Sequence, residues 1–567
     1  NYDYTNILNY DAVTGVSQPC ASCGGSNAQN MTYDANRNVT SRTDFNNNKM
    51  CYTYDLTRNL ETARIEGLTS GADCAASIAA STLTTPARKI TTTWNASYRL
   101  PATITEPVTG GSKTTTNSYD TNGNLTQRVI TTPQGSRTWL WSGYDAYGRA
   151  ATMTDPRGKI TTYAYYPNTA AQNTTLANSR GMLASSTNAV GHVTNITAYN
   201  AHGQPLSMTD ANGLVTTMTY DARMRLKSRT VSGTGINETT AYDYDGVGQL
   251  IKVTLPDASF ITYTYDGAHR LTQIQDGQAN KIVYTLDAMG NRIGEQAYDP
   301  AGLLARSRTR VYDALNRLQK DIGATTPSTQ ISQYGYDNQG NGTTTTDPLS
   351  RVTTNAFDAL NRLVQVTDPN TPTAGITKYD YDVQDNLTKV IDPKFSPQGA
   401  TAPATTYTYN GFNELISQSS PDTGVTSFTY DAAGNMLTKT DARDKVAKYV
   451  YDNINRVTQI KYYPTTANAN ANTSADETVT YTYDTCTNGK GRLCTLSDKS
   501  GTTTYSYDIQ GRTTAKSQNV SSLTQAHSYR YNTAGQMDQL TTASGQVMGY
   551  GYTNNRVTSI SVNGVAL

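Results

Sequence analysis

The sequence predicts an all-β protein: one long ribbon of antiparallel β-hairpins that curls into a spiral wall. Three observations carry this. Runs with strict two-residue alternation recur, as in ITYTYDGAHRLTQI (261–274), where Tyr263 and Tyr265 share one face and Thr262 and Thr264 the other. Each run ends on Tyr-Asp or a near variant. Those pairs return at a nearly fixed interval, stepping 24, 21, 21, 26, 24, 21, 24, 28, 21, 21, 32, 24 and 24 residues from Tyr220 onward. An interval of this size marks a repeat array, in which no single unit buries a core alone.

Within a unit the elements follow in order. The alternating run is a strand. Asp then opens a turn, because its carboxylate accepts backbone N–H groups inside a type I turn. The fourth turn residue must tolerate φ > 0. It is Gly at 148, 248, 290, 340, 434, 511 and 535, and Asn at 316, 361, 413 and 455. Gly and Asn share tolerance of the left-handed region and little else, so backbone geometry explains the alternation. Arg37, Arg58, Met224 and His269 break this rule. The turn predicts hairpin closure into a second strand. A second turn lies about ten residues further on, as in TDPRGK (154–159) and TDANGL (209–214), so loops alternate between two edges of the ribbon. The motif pairs are Tyr119-Asp120, Tyr144-Asp145, Tyr220-Asp221, Tyr265-Asp266, Tyr312-Asp313, Tyr336-Asp337, Tyr430-Asp431, Tyr451-Asp452 and Tyr507-Asp508. Residues 1–118 form an irregular, cysteine-containing section with insertions. Residues 119–567 form the regular array, continuous with it in one superstructure. About fifty strands at ~4.8 Å spacing make a ribbon ~240 Å long; at ~50 Å across, that is roughly one and a half spiral turns, a partial wall.

Composition agrees. Charged residues are 16% and net charge is +1, which invites neither nucleic acid nor an anionic membrane. Tyrosine does the apolar work, 41 against 6 Phe, and each ring needs a polar place for its hydroxyl. That favours a thin wall over a deep core. No apolar run reaches the ~20 residues of a membrane span, and no signal peptide opens the chain, which reads as a piece of a longer polypeptide.

The repeated wording YDTNGNLT (119–126), YDAAGNML (430–437) and YDALNRL (312–318) resembles the YD repeat of RHS proteins. Related arrays occur in bacterial polymorphic toxins, insecticidal toxin complexes, wall-associated proteins and teneurins. The resemblance implies a hollow β-ribbon shell, secreted or at the bacterial cell surface, that encloses a C-terminal toxin cargo of the same parent chain. It implies no cofactor. The DPxG-type core signature with self-cleaving aspartates has no counterpart in this sequence, so no proteolytic role passes to any residue here.

Paired carboxylates could serve a glycosidase. Here every Asp stands where a turn needs one, so no catalytic residue is assigned. His192, His202, His269 and His527 lack metal-ligand spacing. The Arg after the turn (Arg149, Arg270, Arg292, Arg317, Arg362, Arg456, Arg512) either binds an anionic ligand or packs on a neighbouring tyrosine and pairs with a turn Asp. The six cysteines fall into local pairs, Cys20 with Cys23, Cys51 with Cys74 and Cys486 with Cys494, which suits an oxidising compartment. A four-cysteine zinc site from Cys20, Cys23, Cys51 and Cys74 is the alternative. The function expected is structural and non-enzymatic. The alternative is an extracellular adhesin or surface filament that binds glycans or another cell through exposed tyrosines.

Overall fold

The structure, a computed structural model, describes residues 2–8, 10–17, 28–168, 177–323, 330–369, 375–393 and 404–567. Among these, 47 strands form one sheet, and each pairs antiparallel with its neighbour in the chain, from Tyr2–Ile7 with Tyr10–Ser17 to Arg556–Val562 with Val565–Ala566. The strand Gly111–Tyr119 pairs with Pro101–Val108 on one side and Leu125–Thr132 on the other. Neighbour pairing has a low entropic cost, since most hairpins close a short loop.

Nearly every Tyr-Asp bend carries a β-bulge; at Tyr144-Asp145 the flanking strands Gly135–Ser142 and Thr152–Thr154 pair without one. Thr264 pairs with Gln273 and Tyr265 with Leu271, so Thr272 is the extra residue. The same slip precedes Tyr119, Tyr336, Tyr451 and Tyr507. A bulge increases local right-handed twist, and repeated along one edge it makes the ribbon coil.

The coil closes on itself. Hydrogen bonds join residues 264 to 298 positions apart all along the chain, from Asn46 with Asp337 to Asn555 with Ser259. One circuit spans roughly 23 strands, about 110 Å of ribbon and so ~35 Å across. The chain therefore completes nearly two coils, a correction to the one and a half expected. The reason is the tighter curvature imposed by a bulge at nearly every Tyr-Asp bend.

Little of the chain is deeply buried. Its accessible surface is 30360 Å², against about 20,000 Å² for a compact monomer of 61.4 kDa. That excess fits a wall with two wetted faces. In strands such as Ala404–Tyr409 and Gly424–Tyr430 one face is exposed and the other half-buried. Tyr407, Tyr409, Phe428 and Tyr430 lie on the half-buried face, Thr406, Thr408 and Thr429 on the exposed one. The ring-bearing face is thus the more crowded of the two, and the threonine face the more open.

Two insertions add short helices. Cys74–Ala79, capped by the Asp73 side chain, packs over a cluster of Cys51, Ile65, Leu68 and Ala87. Thr466–Ala471, capped by Thr465 and ended by left-handed Asn472, covers Val446 and Tyr463.

Candidate functional site

The repeated bend is the chemical unit of this protein, and Asp266 shows its construction. The Asp266 N–H donates to the Arg270 carbonyl at 3.0 Å, and the His269 N–H donates back to the Asp266 carbonyl at 2.9 Å. Oδ1 accepts from the N–H groups of Ala268 and Arg270 at 2.9 and 3.0 Å, and Oδ2 accepts from Arg270 Nε at 2.8 Å. One carboxylate thus satisfies the inside of a five-residue turn. The Arg270 guanidinium, then its N–H, holds the Asp266 carboxyl below the usual carboxylate range.

The same set recurs at Asp145, Asp221, Asp313 and Asp452 with Arg149, Arg225, Arg317 and Arg456, and at Asp508 with Arg512. At Asp120, Asp337 and Asp431 the side-chain donor is Asn124, Asn341 or Asn435. The opposite edge uses the same turn, as at Asp155 and Asp210. Arg37, Met224 and His269 occupy the left-handed position, with φ of 67°, 64° and 64°. Arg58 does not: the turn at Asp55 puts Asn59 there instead, with φ 51°.

At most bends the tyrosine before the Asp binds the preceding unit. Tyr265 Oη donates to the Leu250 carbonyl at 2.8 Å, Tyr336 to Leu318, Tyr430 to Leu415 and Tyr451 to Met436, each at 2.8 Å. Tyr119, Tyr144, Tyr220 and Tyr507 do the same to Pro101, Leu125, Pro205 and Leu493, and Tyr312 reaches Arg292 at a longer 3.4 Å. The acceptor is the carbonyl beside the preceding bulge, so the phenol satisfies a group at the point where the ladder is interrupted. Burial pushes the Tyr119, Tyr144, Tyr265 and Tyr451 hydroxyls above the usual phenol range.

The turn arginine does both things expected of it structurally. Arg317, Arg362 and Arg512 pair with their own Asp and lie 4.8, 4.9 and 5.0 Å from the ring centroids of Tyr336, Tyr381 and Tyr531 in the next unit. Cys51 and Cys74 are disulfide-bonded with Cα atoms 5.4 Å apart, and Cys486 and Cys494 at 5.6 Å. With the sulfurs of Cys51 and Cys74 bonded to each other, the four-cysteine zinc alternative falls. Cys20 and Cys23 lie outside the described residues. Among the described residues no cluster of His, Cys, Asp and Glu has metal-binding geometry. His192 instead faces Asp484 across the coils at 3.3 Å.

The sequence reading missed the seam where the two coils meet. Throughout it, the second-turn edge of the first coil docks on the Tyr-Asp edge of the second. Arg137 pairs with Glu414 at 2.6 Å and lies 3.9 Å from the Phe412 ring centroid. Arg88 bridges Glu66 and Asp385, Arg157 meets Asp431, and Asn212 exchanges two hydrogen bonds with Lys490. No local pattern signals these pairs, because their separation is set by the coil circumference.

This geometry is that of known shells. The RHS Repeat family matches residues 119–160, 199–236 and 244–281, and the Teneurin YD-shell family matches 289–484 and 375–526. Together these spans take in more than half of the chain. No curated protein matches the sequence. Among solved structures, the fold resembles the crystal structure of TcdB2-TccC3, with TM-score 0.67 and 13% identity over 96% of this chain. It also resembles TcdB2-TccC3 without the hypervariable C-terminal region, with TM-score 0.69 and 13% identity over 98%, and the Photorhabdus luminescens Tc holotoxin pore carrying TccC3-D651A, with TM-score 0.52 and 14% identity over 94%. The chain spans about a third of those proteins, 33%, 35% and 31% of their lengths. A tandem array of Tyr-Asp bends, wound as one antiparallel ribbon and matched by both repeat families, makes this chain a member of the RHS/YD-repeat proteins.

Proposed function

We propose that this chain is a non-catalytic section of a secreted or cell-surface shell, in which residues 1–118 and 119–567 act as one superstructure. The shell encloses and protects a toxin or effector segment of the same parent polypeptide for delivery to a competitor or host cell. The observation that carries the reading is the closed seam: two coils of one ribbon joined edge to edge, with the rings on the less exposed face of the sheet. A wall of this kind keeps an enclosed polypeptide from protease and from its target. The bend carboxylates support a structural role, since they accept N–H groups inside their own turns and many also pair with an Arg or Asn side chain. An adhesin would need an outward track of rings, whereas the exposed stripe of the strands is rich in threonine.

The test is protection. A reporter polypeptide fused after Leu567 is challenged with protease beside the free reporter. Survival of the fused reporter, lost when Arg137 and Arg157 are both replaced by Ala, supports encapsulation. Equal cleavage rates for fused and free reporter overturn it.

A further inference from the structure

The bend at Asp484 is built unlike its neighbours. It runs nine residues, closed by the Asp484 N–H on the Arg492 carbonyl at 3.1 Å, where Asp266 closes its turn on Arg270. In a regular bend the carboxylate fastens the turn from inside, as Asp452 does by accepting from the N–H groups of Ile454 and Arg456. Asp484 accepts from the Gly491 N–H at 2.6 Å, but its other partners lie outside the loop. Arg456 of the preceding bend donates to its two oxygens at 2.9 and 2.5 Å, and His192 of the first coil stands 3.3 Å from Oδ1. The disulfide between Cys486 and Cys494 takes over the fastening. The Gly489 N–H donates to the Cys486 carbonyl at 2.9 Å, and a Cβ on Gly489 would fall 2.6 Å from both sulfurs, so the loop tip is moulded on the bridge.

This one loop spans two successive turns of the first coil. Asp484 faces His192 in the turn at 188–192, and Lys490 exchanges hydrogen bonds of 2.9 and 3.0 Å with Asn212 in the turn at 210–214. Lys490 uses its backbone N–H and carbonyl for this, so the contact depends on the loop keeping one conformation. Without the bridge, a nine-residue loop has far more conformations than a five-residue turn held by its own carboxylate.

We infer that the Cys486–Cys494 disulfide is a thiol-operated latch on the seam: it holds the loop in the shape that grips the turns at 188–192 and 210–214, and its reduction releases them. The reductant is a low-molecular-weight thiol or dithiol. Its thiolate attacks the Cys486 sulfur, since Cys486 is half-buried between exposed Thr485 and Thr487 whereas Cys494 is 3% exposed. The S–S bond breaks and Cys494 leaves as a thiolate that takes a proton. A second thiol then displaces Cys486 from the mixed disulfide, so two electrons pass to the protein and the reductant ends as its own disulfide. The use of the latch rests on the shell reading: a wall closed in an oxidising compartment loosens at this point of the seam on entering a reducing one.

Hydrogen exchange on the full chain, oxidised and after dithiothreitol, tests this, with alkylation and mass measurement to establish that Cys486 and Cys494 have become thiols. Reduction is expected to speed exchange about tenfold in 484–492, 188–192 and 210–214, while 132–142 and 410–414, elsewhere on the seam, keep their protection. Cys486→Ser with Cys494→Ser should show the same fast exchange with no thiol added, and dithiothreitol should not speed it further, which separates this bridge from Cys51–Cys74. Unchanged exchange at 188–192 and 210–214 after both thiols are alkylated overturns the inference. So does a bridge that resists dithiothreitol in the folded chain, acceleration spread evenly along the chain, or a folded serine pair that keeps the oxidised pattern. The measurement uses no cargo, so a failed latch is distinct from a failed protection test.

Discussion

The hydroxyl of Tyr265 donates to the carbonyl of Leu250, fifteen residues earlier, at 2.8 Å. That bond ties one repeat to the one before it at the bulge. Tyr263, two residues back on the same face, has no hydrogen bond to its hydroxyl among the described residues. The two tyrosines therefore do different work in one strand. Tyr265→Phe should cost about 1 kcal/mol by leaving the carbonyl short of a donor, while Tyr263→Phe should be near neutral. Urea denaturation of the two variants checks the ordering, and equal losses would contradict it.

Asp452 accepts from the N–H groups of Ile454 and Arg456 and from Arg456 Nε. Asp452→Ala should cost about 1–3 kcal/mol, since buried donors lose their acceptor. Asp452→Asn should cost less, because Asn keeps the acceptor oxygen. Asn410 and Asn532 already fill this position in other units. Denaturant midpoints for the two variants should show Ala well below Asn.

Stability should fall at both ends of the pH scale. The turn carboxyls, Asp120, Asp145, Asp221 and Asp266 among them, lie below their ordinary value in the fold, chiefly through side-chain hydrogen bonds from Asn124, Arg149, Arg225 and Arg270. Their contribution is present above about pH 4 and is lost as pH drops through the folded values. The wall tyrosines lie above theirs because of burial, Tyr54 at about 12. Their contribution is present below about pH 10 and is lost as pH rises through the folded values. Denaturant titrations across pH should give a plateau between these limits. A midpoint still climbing from pH 4 down to 2 would refute the acid arm, and tyrosinate absorbance rising at the free-phenol value would refute the alkaline one.

The two disulfides should differ in worth. Cys51 and Cys74 are 23 residues apart and sit in the cluster with Ile65, whereas Cys486 and Cys494 are 8 apart. Chain-entropy reasoning gives roughly 3.4 kcal/mol for the longer loop and roughly 2.5 for the shorter. Replacing each pair with Ala and measuring thermal unfolding should show the larger loss at residues 51 and 74.

Arg137→Ala removes an ion pair with Glu414, a hydrogen bond to the Asp431 carbonyl and the contact with Phe412. About 2–3 kcal/mol of seam stability should go with it. Hydrogen exchange should speed up in 132–142 and 410–414 while strands remote from the seam keep their protection. Uniform acceleration along the chain would show that the seam is not a separate unit.

The ribbon was legible because its causes are local. Alternation in 261–265, Asp at the start of the turn, and Gly or Asn at its fourth position each act within a few residues, so the bends could be placed one by one. Arg58 was misassigned because the turn at Asp55 passes the left-handed position to Asn59, a one-residue shift that composition does not reveal. The seam was illegible. Nothing near Arg137 in sequence points to Phe412 or Glu414.

By itself, the sequence determined a single antiparallel ribbon with two kinds of edge, since hairpin closure depends on neighbours in the chain. Only the tertiary structure decided that the ribbon makes nearly two coils and which edge residues meet. The physical reason is accumulation: a small twist at each strand, repeated over roughly 23 strands, fixes the circumference. A slight change in that twist would bring a different turn opposite Arg137.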